Sequence, residues 1–179
     1  MNAIVLVRYG TIPEVGRFEY SLPELPERSQ PVIVRTHRGT ELGTLLEVVR
    51  GQVNVTSSAN GSTAEEPTLS SILRLATDED RARHELLRGE AQAAFSAWED
   101  RIRAWGLELE LIDIEWTLER EKLVLYVLTG RGPDTTKLAL QAAALGLSAI
   151  EVQPVDADGL VALPPAGGGC GSGGCGCHE

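Results

Sequence analysis

The chain has 179 residues, a formal net charge of −10 at pH 7 and a pI near 4.8. Hydrophobic residues make up 42% and charged residues 23%, a balance typical of globular rather than disordered chains. The acidic balance argues against direct binding to nucleic acid, which depends on clustered Lys and Arg. The longest apolar run, about six residues, is too short to cross a bilayer. The N-terminus indicates no signal peptide, so we expect a cytoplasmic protein.

Residues 1–50 predict a small β-sheet or barrel. Short runs with β-branched residues, separated by Gly and Pro, lie at 3–8, 17–20 (after a turn at Gly16), 32–36 and 41–49. Residues 51–67 contain almost no large apolar side chains. This stretch is therefore predicted to be a linker or mobile loop, because it cannot offset the ordering entropy of a packed core.

A second portion, predicted to be α+β, covers residues 68–158. A short strand at 72–75 leads into a helix whose start has the pattern of a capping box, with Thr77 followed three residues later by Asp80. Apolar residues at spacings of three and four continue this helix for about 28 residues. Gly106 is predicted to end it.

Two strands and a shorter helix are predicted to follow the long helix. The apolar face of the first strand changes phase at Ile112, which predicts either a β-bulge or a strand whose second half is covered on its other face. Asp134 is placed to cap the second helix, and a last strand follows at 149–152. This order predicts an α+β fold in which one long and one shorter helix cover one face of a mostly antiparallel sheet.

Residues 159–179 are predicted to form a flexible, Gly-rich tail that holds every cysteine of the chain: Cys170, Cys175 and Cys177. Thiolates bind zinc and iron–sulfur clusters, and the intervening glycines allow several sulfurs to converge on one centre. The fourth ligand would be His178, a cysteine of a partner, or water. Cys177 and His178 are adjacent, so three thiolates plus a group from elsewhere are favoured. The alternative is a tail that binds metal only weakly or has no specific role.

No catalytic residue is predicted. The chain has no recognisable Ser-His-Asp or Cys-His order, because its cysteines are confined to the tail. His84 lies beside the apolar stripe of the long helix, where a solvated or packing role explains it better than catalysis. His37 falls in a turn with Arg38 and Gly39, which is explained by polar side chains at a strand-to-strand connection. We therefore expect a protein that is not an enzyme.

Four segments of the chain occur in a distinctive order: 34–43 (VRTHRGTELG), 72–80 (ILRLATDED), 111–117 (LIDIEWT) and the strand after Lys122. This ordered set resembles the polymerase-suppressor (PSP) C-terminal domain family, whose bacterial members are YaaT-like proteins named for sporulation. The family usually ends its domain with Cys-Gly-Arg-x-x-Cys-Cys. Here Cys170 and Cys175 keep the first spacing, whereas Ser172 stands in place of the Arg and Gly176 separates the last two cysteines.

The resemblance implies a regulatory adaptor rather than a catalyst. It implies small helical protein partners, iron–sulfur clusters, and an endoribonuclease that the complex directs toward RNA maturation. A set of three thiolates fits an iron–sulfur cluster completed by another subunit, with zinc as the alternative. A second predicted functional surface, for partner binding, is the turn that contains Arg38, Gly39, Glu41 and Gly43. The alternative for its glycines is a purely conformational role.

Two further functions were weighed against the adaptor. One is a nucleic-acid-binding accessory protein that uses Arg8, Arg35 and Arg38 on one rim of the N-terminal sheet, and the low pI argues against it. The other is a metal-handling or thiol-redox protein that uses the tail cysteines. Apart from His178, the sequence places no base and no substrate-pocket residues near those thiols, which makes this the weakest of the three.

Overall fold

The computed structural model describes residues 3–23, 27–49, 70–129, 133–147, 149–157 and 159–161. The predicted linker 51–67 lies outside the described residues. So do the four predicted metal ligands, Cys170, Cys175, Cys177 and His178. Within the described ranges the chain folds into two sheets and two helices, in agreement with the predicted α+β class.

The first sheet is a closed barrel with strand order β1-β2-β5-β3-β4. Its strands are β1 (Ala3–Tyr9), β2 (Glu14–Tyr20), β3 (Pro31–Arg35), β4 (Thr40–Val48) and β5 (Ser70–Leu75). Alternate residues point inward, as the period of a strand requires. The barrel core is formed by Val5, Val7, Tyr9, Phe18, Tyr20, Val32, Val34, Leu45 and Ile72. The predicted N-terminal barrel is confirmed.

Two details of the barrel differ from the sequence prediction. Gly16 lies inside β2, and the turn that precedes this strand falls at 10–13, where Gly10 adopts a φ of 79°. Strand β5, predicted to open the second portion, pairs with β2 and β3 and completes the barrel. The pattern of a short strand shows that it is half-buried, but it does not show which sheet it joins.

Helix α1 (Asp78–Ala104) has the predicted length and caps. Thr77 accepts a hydrogen bond from the Asp80 amide, and the Asp80 carboxylate accepts one from the Thr77 amide at 2.8 Å. Arg74 donates to the same carboxylate and holds the pKa of Asp80 well below its usual range. Gly106, with a φ of 64°, ends the helix.

The second sheet has the order β6-β7-β8-β9, and only β7 and β8 run parallel among its described strands. Its strands are β6 (Leu109–Trp116), β7 (Leu123–Thr129), β8 (Ile150–Asp156) and β9 (Gly159–Leu160). Helix α1 and helix α2 (Asp134–Ala144) share one apolar core with one face of this sheet. The core contains Ala91, Trp98, Ile102, Leu111, Ile114, Leu123, Leu125, Val127, Leu138, Ala142 and Val152.

The predicted bulge is present between Leu111 and Asp113. Ile112, expected on the apolar face, is itself the extra residue of the bulge. Its side chain points outward and is 43% exposed. Asp134 does not cap α2, since Pro133 occupies the cap position. Its carboxylate instead accepts from the Glu108 amide at 3.0 Å and from Lys137. Neither helix in the described part of the chain combines the length and apolarity needed to span a membrane.

Candidate functional site

The barrel packs against the face of the second sheet that is turned away from the helices. Val124, Tyr126 and Val155 are buried on this face, and Ile12 of the β1–β2 turn packs against them. The Leu118 amide donates to the Thr40 carbonyl at 2.8 Å across the same junction. The barrel and the second sheet therefore share a buried interface.

A cluster of ionisable side chains lies inside this junction. Arg38 donates from Nη1 to the hydroxyl of Tyr126 at 2.9 Å, and that hydroxyl donates to Glu115 at 3.0 Å. Glu115 also accepts from the Thr11 amide. Arg38 Nη2 and Glu41 Oε1 form an ion pair at 2.9 Å, and Arg38 Nε donates to Glu41 Oε2 at 3.4 Å.

The cluster holds one cation and two carboxylates away from water. The side chains of Arg38 and Glu41 are 1% and 3% exposed. Burial raises the pKa of Glu41 to about 7, against the attraction of Arg38. Burial also disfavours the charged guanidinium, but attraction to Glu41 and other groups outweighs it and keeps the pKa of Arg38 above its usual value. The loss of water contact therefore favours the protonated form of Glu41 up to about neutral pH.

The tight turn before β4 positions Arg38 and Glu41. The hydroxyl of Thr36 donates to the Glu41 carboxylate and accepts from the Arg38 amide at 3.1 Å. Gly39 has a φ of 140°, a conformation open mainly to glycine, and it faces Thr117. This turn therefore contacts the connection between β6 and β7, and the conformation of Gly39 makes the contact possible.

The predicted partner-binding residues, Arg38, Gly39, Glu41 and Gly43, thus have an internal role. Arg38, Glu41 and Gly43 are buried, and a Cβ added at Gly43 would lie 2.5 Å from Val7 Cγ1. In this conformation, protein surrounds the first two side chains on all sides. Partner binding through this turn stays a prediction, and the conformational alternative for the two glycines has direct structural support.

The predicted basic rim of Arg8, Arg35 and Arg38 does not form. Arg38 points into the junction, whereas Arg8 and Arg35 are exposed. Arg8 instead shares a cleft with three cationic or titratable residues of α1 that the sequence analysis did not select: Arg81, His84 and Arg88. Their spacing of three and four residues could have indicated a basic surface, because it places the three side chains on one helix face.

Helix α2 presents an exposed apolar stripe. Leu140 is 65% exposed, Leu147 is 37% exposed, and Ala143 and Ala144 between them are also exposed. Leu140, Ala143 and Ala144 follow the spacing of one helix face, and Leu147 lies just beyond the end of the helix, after Gly146. The opposite face of α2 is already packed through Leu138 and Ala142. We call the exposed set the α2 stripe.

Within the described ranges, no three His, Cys, Asp or Glu residues are grouped so that they could hold a metal ion. The ligand set of the tail therefore stays a prediction from its chemistry. His37 lies on the surface of the junction, with its Nε2 3.3 Å from Glu151, which also pairs with Lys122 at 2.7 Å. His84 is a half-buried residue in the cleft with Arg8.

Comparison with known proteins finds a family similarity for part of the chain. Residues 70–138, from β5 to the first turns of α2, match the PSP1 C-terminal conserved region. The chain is also similar to Stage 0 sporulation protein YaaT of Bacillus subtilis (strain 168), with 27% identity over 129 residues. That alignment covers 72% of this chain and 44% of the relative, so the chain matches less than half of that protein. The predicted resemblance is confirmed, and no solved structure matches.

The PSP1 region contains Glu115 and Tyr126 of the buried cluster but neither Arg38 nor Glu41. It also contains β5, which is a strand of the barrel. The matched region therefore includes parts of both sheets, and residues that precede it complete the barrel and the cluster.

Proposed function

We propose that this chain is a non-catalytic adaptor that binds a helical segment of another protein through the α2 stripe. Leu140, Ala143 and Ala144 expose apolar surface on one face of α2, and Leu147 extends this surface beyond the end of the helix. A second helix can pack its own apolar face against such a surface. Burying an exposed leucine stabilises a complex by about 1.5–3 kcal/mol, so a few such contacts supply useful affinity. The α2 stripe is the observation on which this proposal rests.

The arrangement of the ionisable groups also favours an adaptor. Arg38, Glu41 and Glu115 are engaged with one another or with Tyr126, and they are closed off from a substrate. A general acid or base has to come within hydrogen-bond reach of a reacting group, which this burial prevents. The cluster is better suited to fixing the barrel against the second sheet.

The family resemblance extends the proposal to the partners and to the tail. We propose that the partners are small helical proteins, and that the complex acts on RNA maturation with an endoribonuclease. Cys170, Cys175 and Cys177 would supply three thiolates to an iron–sulfur cluster or to zinc, and a partner would supply the remaining ligand. Thiolates are the donors that both cofactors prefer, so the chemistry of this set fits either one.

The test compares two leucine variants of matched exposure. Leu140 is 65% exposed on α2, and Leu86 is 62% exposed on α1. The tagged full chain and its Leu140→Asp and Leu86→Asp variants are purified anaerobically from native cells, and co-purifying proteins are quantified by mass spectrometry. We expect helical partners with the wild type and Leu86→Asp, and at least a tenfold loss with Leu140→Asp. Equal recovery with all three, at equal circular dichroism, would rule out the α2 stripe as the docking site.

A further inference from the structure

A cleft of about 360 Å³ separates the barrel from the first half of α1. Arg8 of β1 lies on the barrel side, and Arg81, His84 and Arg88 lie on the helix side. The described residues that line it include three arginines and one histidine but neither Asp nor Glu. The basic lining of the cleft is opposite in sign to the net charge of the chain, which is −10.

The helix side of the cleft presents its charges in a row. Residues 81, 84 and 88 follow the spacing of one helix face, so their side chains project in similar directions. Seven residues of α-helix rise about 10 Å, which is the separation of Arg81 and Arg88 along the axis. Arg8 faces this row from β1. The cations are therefore too widely spread for one small anion to contact all of them.

These cations are available to a ligand. Arg81 lies 3.4 Å from Asp78, and Arg88 lies 4.0 Å from Glu85, in exposed pairs within the helix. Such pairs contribute little and exchange readily with other anions. Arg8 forms no ion pair with any residue in the described ranges. Asp78 and Glu85 do not line the cleft, so the side chains of α1 that face it are cationic or titratable bases.

The barrel side of the cleft adds uncharged polar groups. Thr11 and Thr44 line it together with Arg8 of β1. The guanidinium fork of arginine matches two oxygens of a phosphate, and hydroxyl or amide groups complete such sites. The cleft therefore offers several phosphate-binding groups on two opposed walls.

We propose that this cleft binds a ligand with at least two phosphate groups, which it recognises through Arg8, Arg81 and Arg88. An oligonucleotide and a nucleoside polyphosphate both supply that chemistry. The inference goes beyond the proposed adaptor function and does not rest on it, because the α2 stripe contributes no residue to the cleft.

The experiment measures binding of a fluorescein-labelled oligouridylate of about ten nucleotides to the full chain by fluorescence anisotropy. The cleft variant carries Arg8→Gln, Arg81→Gln and Arg88→Gln. Its control carries Arg17→Gln, Arg28→Gln and Arg103→Gln, which are exposed arginines outside the cleft. Both triples remove the same charge, so a difference between them reports the position of the arginines and not the net charge.

We expect wild-type binding at about 50 mM salt and at least tenfold weaker binding by the cleft variant, with the control within about threefold. Each lost phosphate contact lowers the slope of log K against log salt by about 0.7 for single strands, so the slope should fall by about two. Equal weakening by both triples, or no wild-type binding at this salt concentration, would overturn the proposal.

Competition distinguishes the sources of the phosphate. Displacement by ADP and by unlabelled oligonucleotide supports a cleft for nucleotides, and displacement by oligonucleotide alone supports one for nucleic acid. Displacement by adenosine, which carries no phosphate, would contradict phosphate recognition. The cleft variant is expected to keep the partners that Leu140→Asp loses, so the two proposals fail separately.

Discussion

The guanidinium of Arg38 donates a 2.9 Å hydrogen bond to the hydroxyl of Tyr126, a residue 88 positions later in the chain. Arg38 belongs to the turn that precedes β4, and Tyr126 lies in the centre of β7. Only Tyr126 falls inside the PSP1 region. This bond therefore ties the matched region to the part of the barrel that precedes it.

Replacing Arg38 with methionine should destabilise the fold strongly. The change keeps an unbranched side chain but leaves Glu41 and Glu115 without their shared cation, and removing one partner of a buried ion pair costs about 3–5 kcal/mol. The free energy of unfolding in urea measures the effect.

Arg103→Met is the control, because Arg103 pairs with Asp100 on the surface with both side chains 74% exposed. We expect the control to change stability by no more than about 0.5 kcal/mol. Similar effects of the two variants would show that the buried cluster adds no stability.

The pKa of Glu41 predicts how stability depends on pH. Burial raises this pKa from 4.5 to about 7 in the folded protein. Between these two values the folded state holds a proton that the unfolded chain has released, so this contribution to stability is complete below about pH 4.5 and is lost as pH rises through 7. In the wild type, the free energy of unfolding should therefore fall by on the order of 2–3 kcal/mol between pH 5 and 8 because of Glu41. Glu41→Gln should abolish this fall, because glutamine does not titrate.

The measurement is urea unfolding at several pH values for the wild type, Glu41→Gln and Glu47→Gln. Glu47 is exposed at the end of β4 and should leave the wild-type pH profile unchanged. Other titrating groups contribute equally to all three proteins, so the difference between profiles isolates Glu41. An unchanged pH slope in Glu41→Gln would contradict the raised pKa.

The sequence predicted those features whose causes are local. Thr77 and Asp80 define the start of α1 and Gly106 defines its end, because caps depend on residues a few positions apart. The change of apolar phase at Ile112 correctly predicted a bulge for the same reason. Asp134 was misplaced as a cap because its interaction with the distant Glu108 amide is not visible in the local pattern.

The parts of the site that depend on distant contacts were not predicted. The sequence placed Arg38 on a basic surface, yet Tyr126 and Glu115 draw it into the junction. The cleft was missed because Arg8 and Arg81 meet only when the barrel packs against α1. A charged residue in a turn is usually exposed, so the burial of Arg38 can be recognised only once the tertiary structure is known.

Two glycine-to-alanine changes should have opposite effects on stability. A Cβ at Gly43 would lie 2.5 Å from Val7 Cγ1 inside the barrel, so Gly43→Ala should cost about 1–3 kcal/mol through overpacking. A Cβ at Gly89 meets nothing within 4 Å on the exposed side of α1. Gly89→Ala should stabilise the protein by about 0.5–1 kcal/mol, because alanine favours a helix. Thermal unfolding of both variants tests this, and a tolerated Gly43→Ala would leave partner binding as the reason for that glycine.

The tail cysteines should account for metal uptake by this chain. Anaerobic reconstitution with iron and sulfide, followed by absorbance and bound-metal analysis, compares the wild type with a variant in which Cys170, Cys175 and Cys177 are alanine. We expect this variant to lose the bound iron, since within the described ranges no three His, Cys, Asp or Glu residues could replace the thiolates.

His178→Ala distinguishes the candidates for the fourth ligand. Adjacent residues have difficulty reaching one metal ion together, so a ligand from a partner or from solvent is favoured over His178 beside Cys177. The His178→Ala variant should therefore retain the iron and sulfide content of the wild type. A loss equal to that of the triple cysteine variant would make His178 a ligand, and the tail would then hold its metal without a partner. Equal metal content in all three proteins would remove the cysteines from the proposed function altogether.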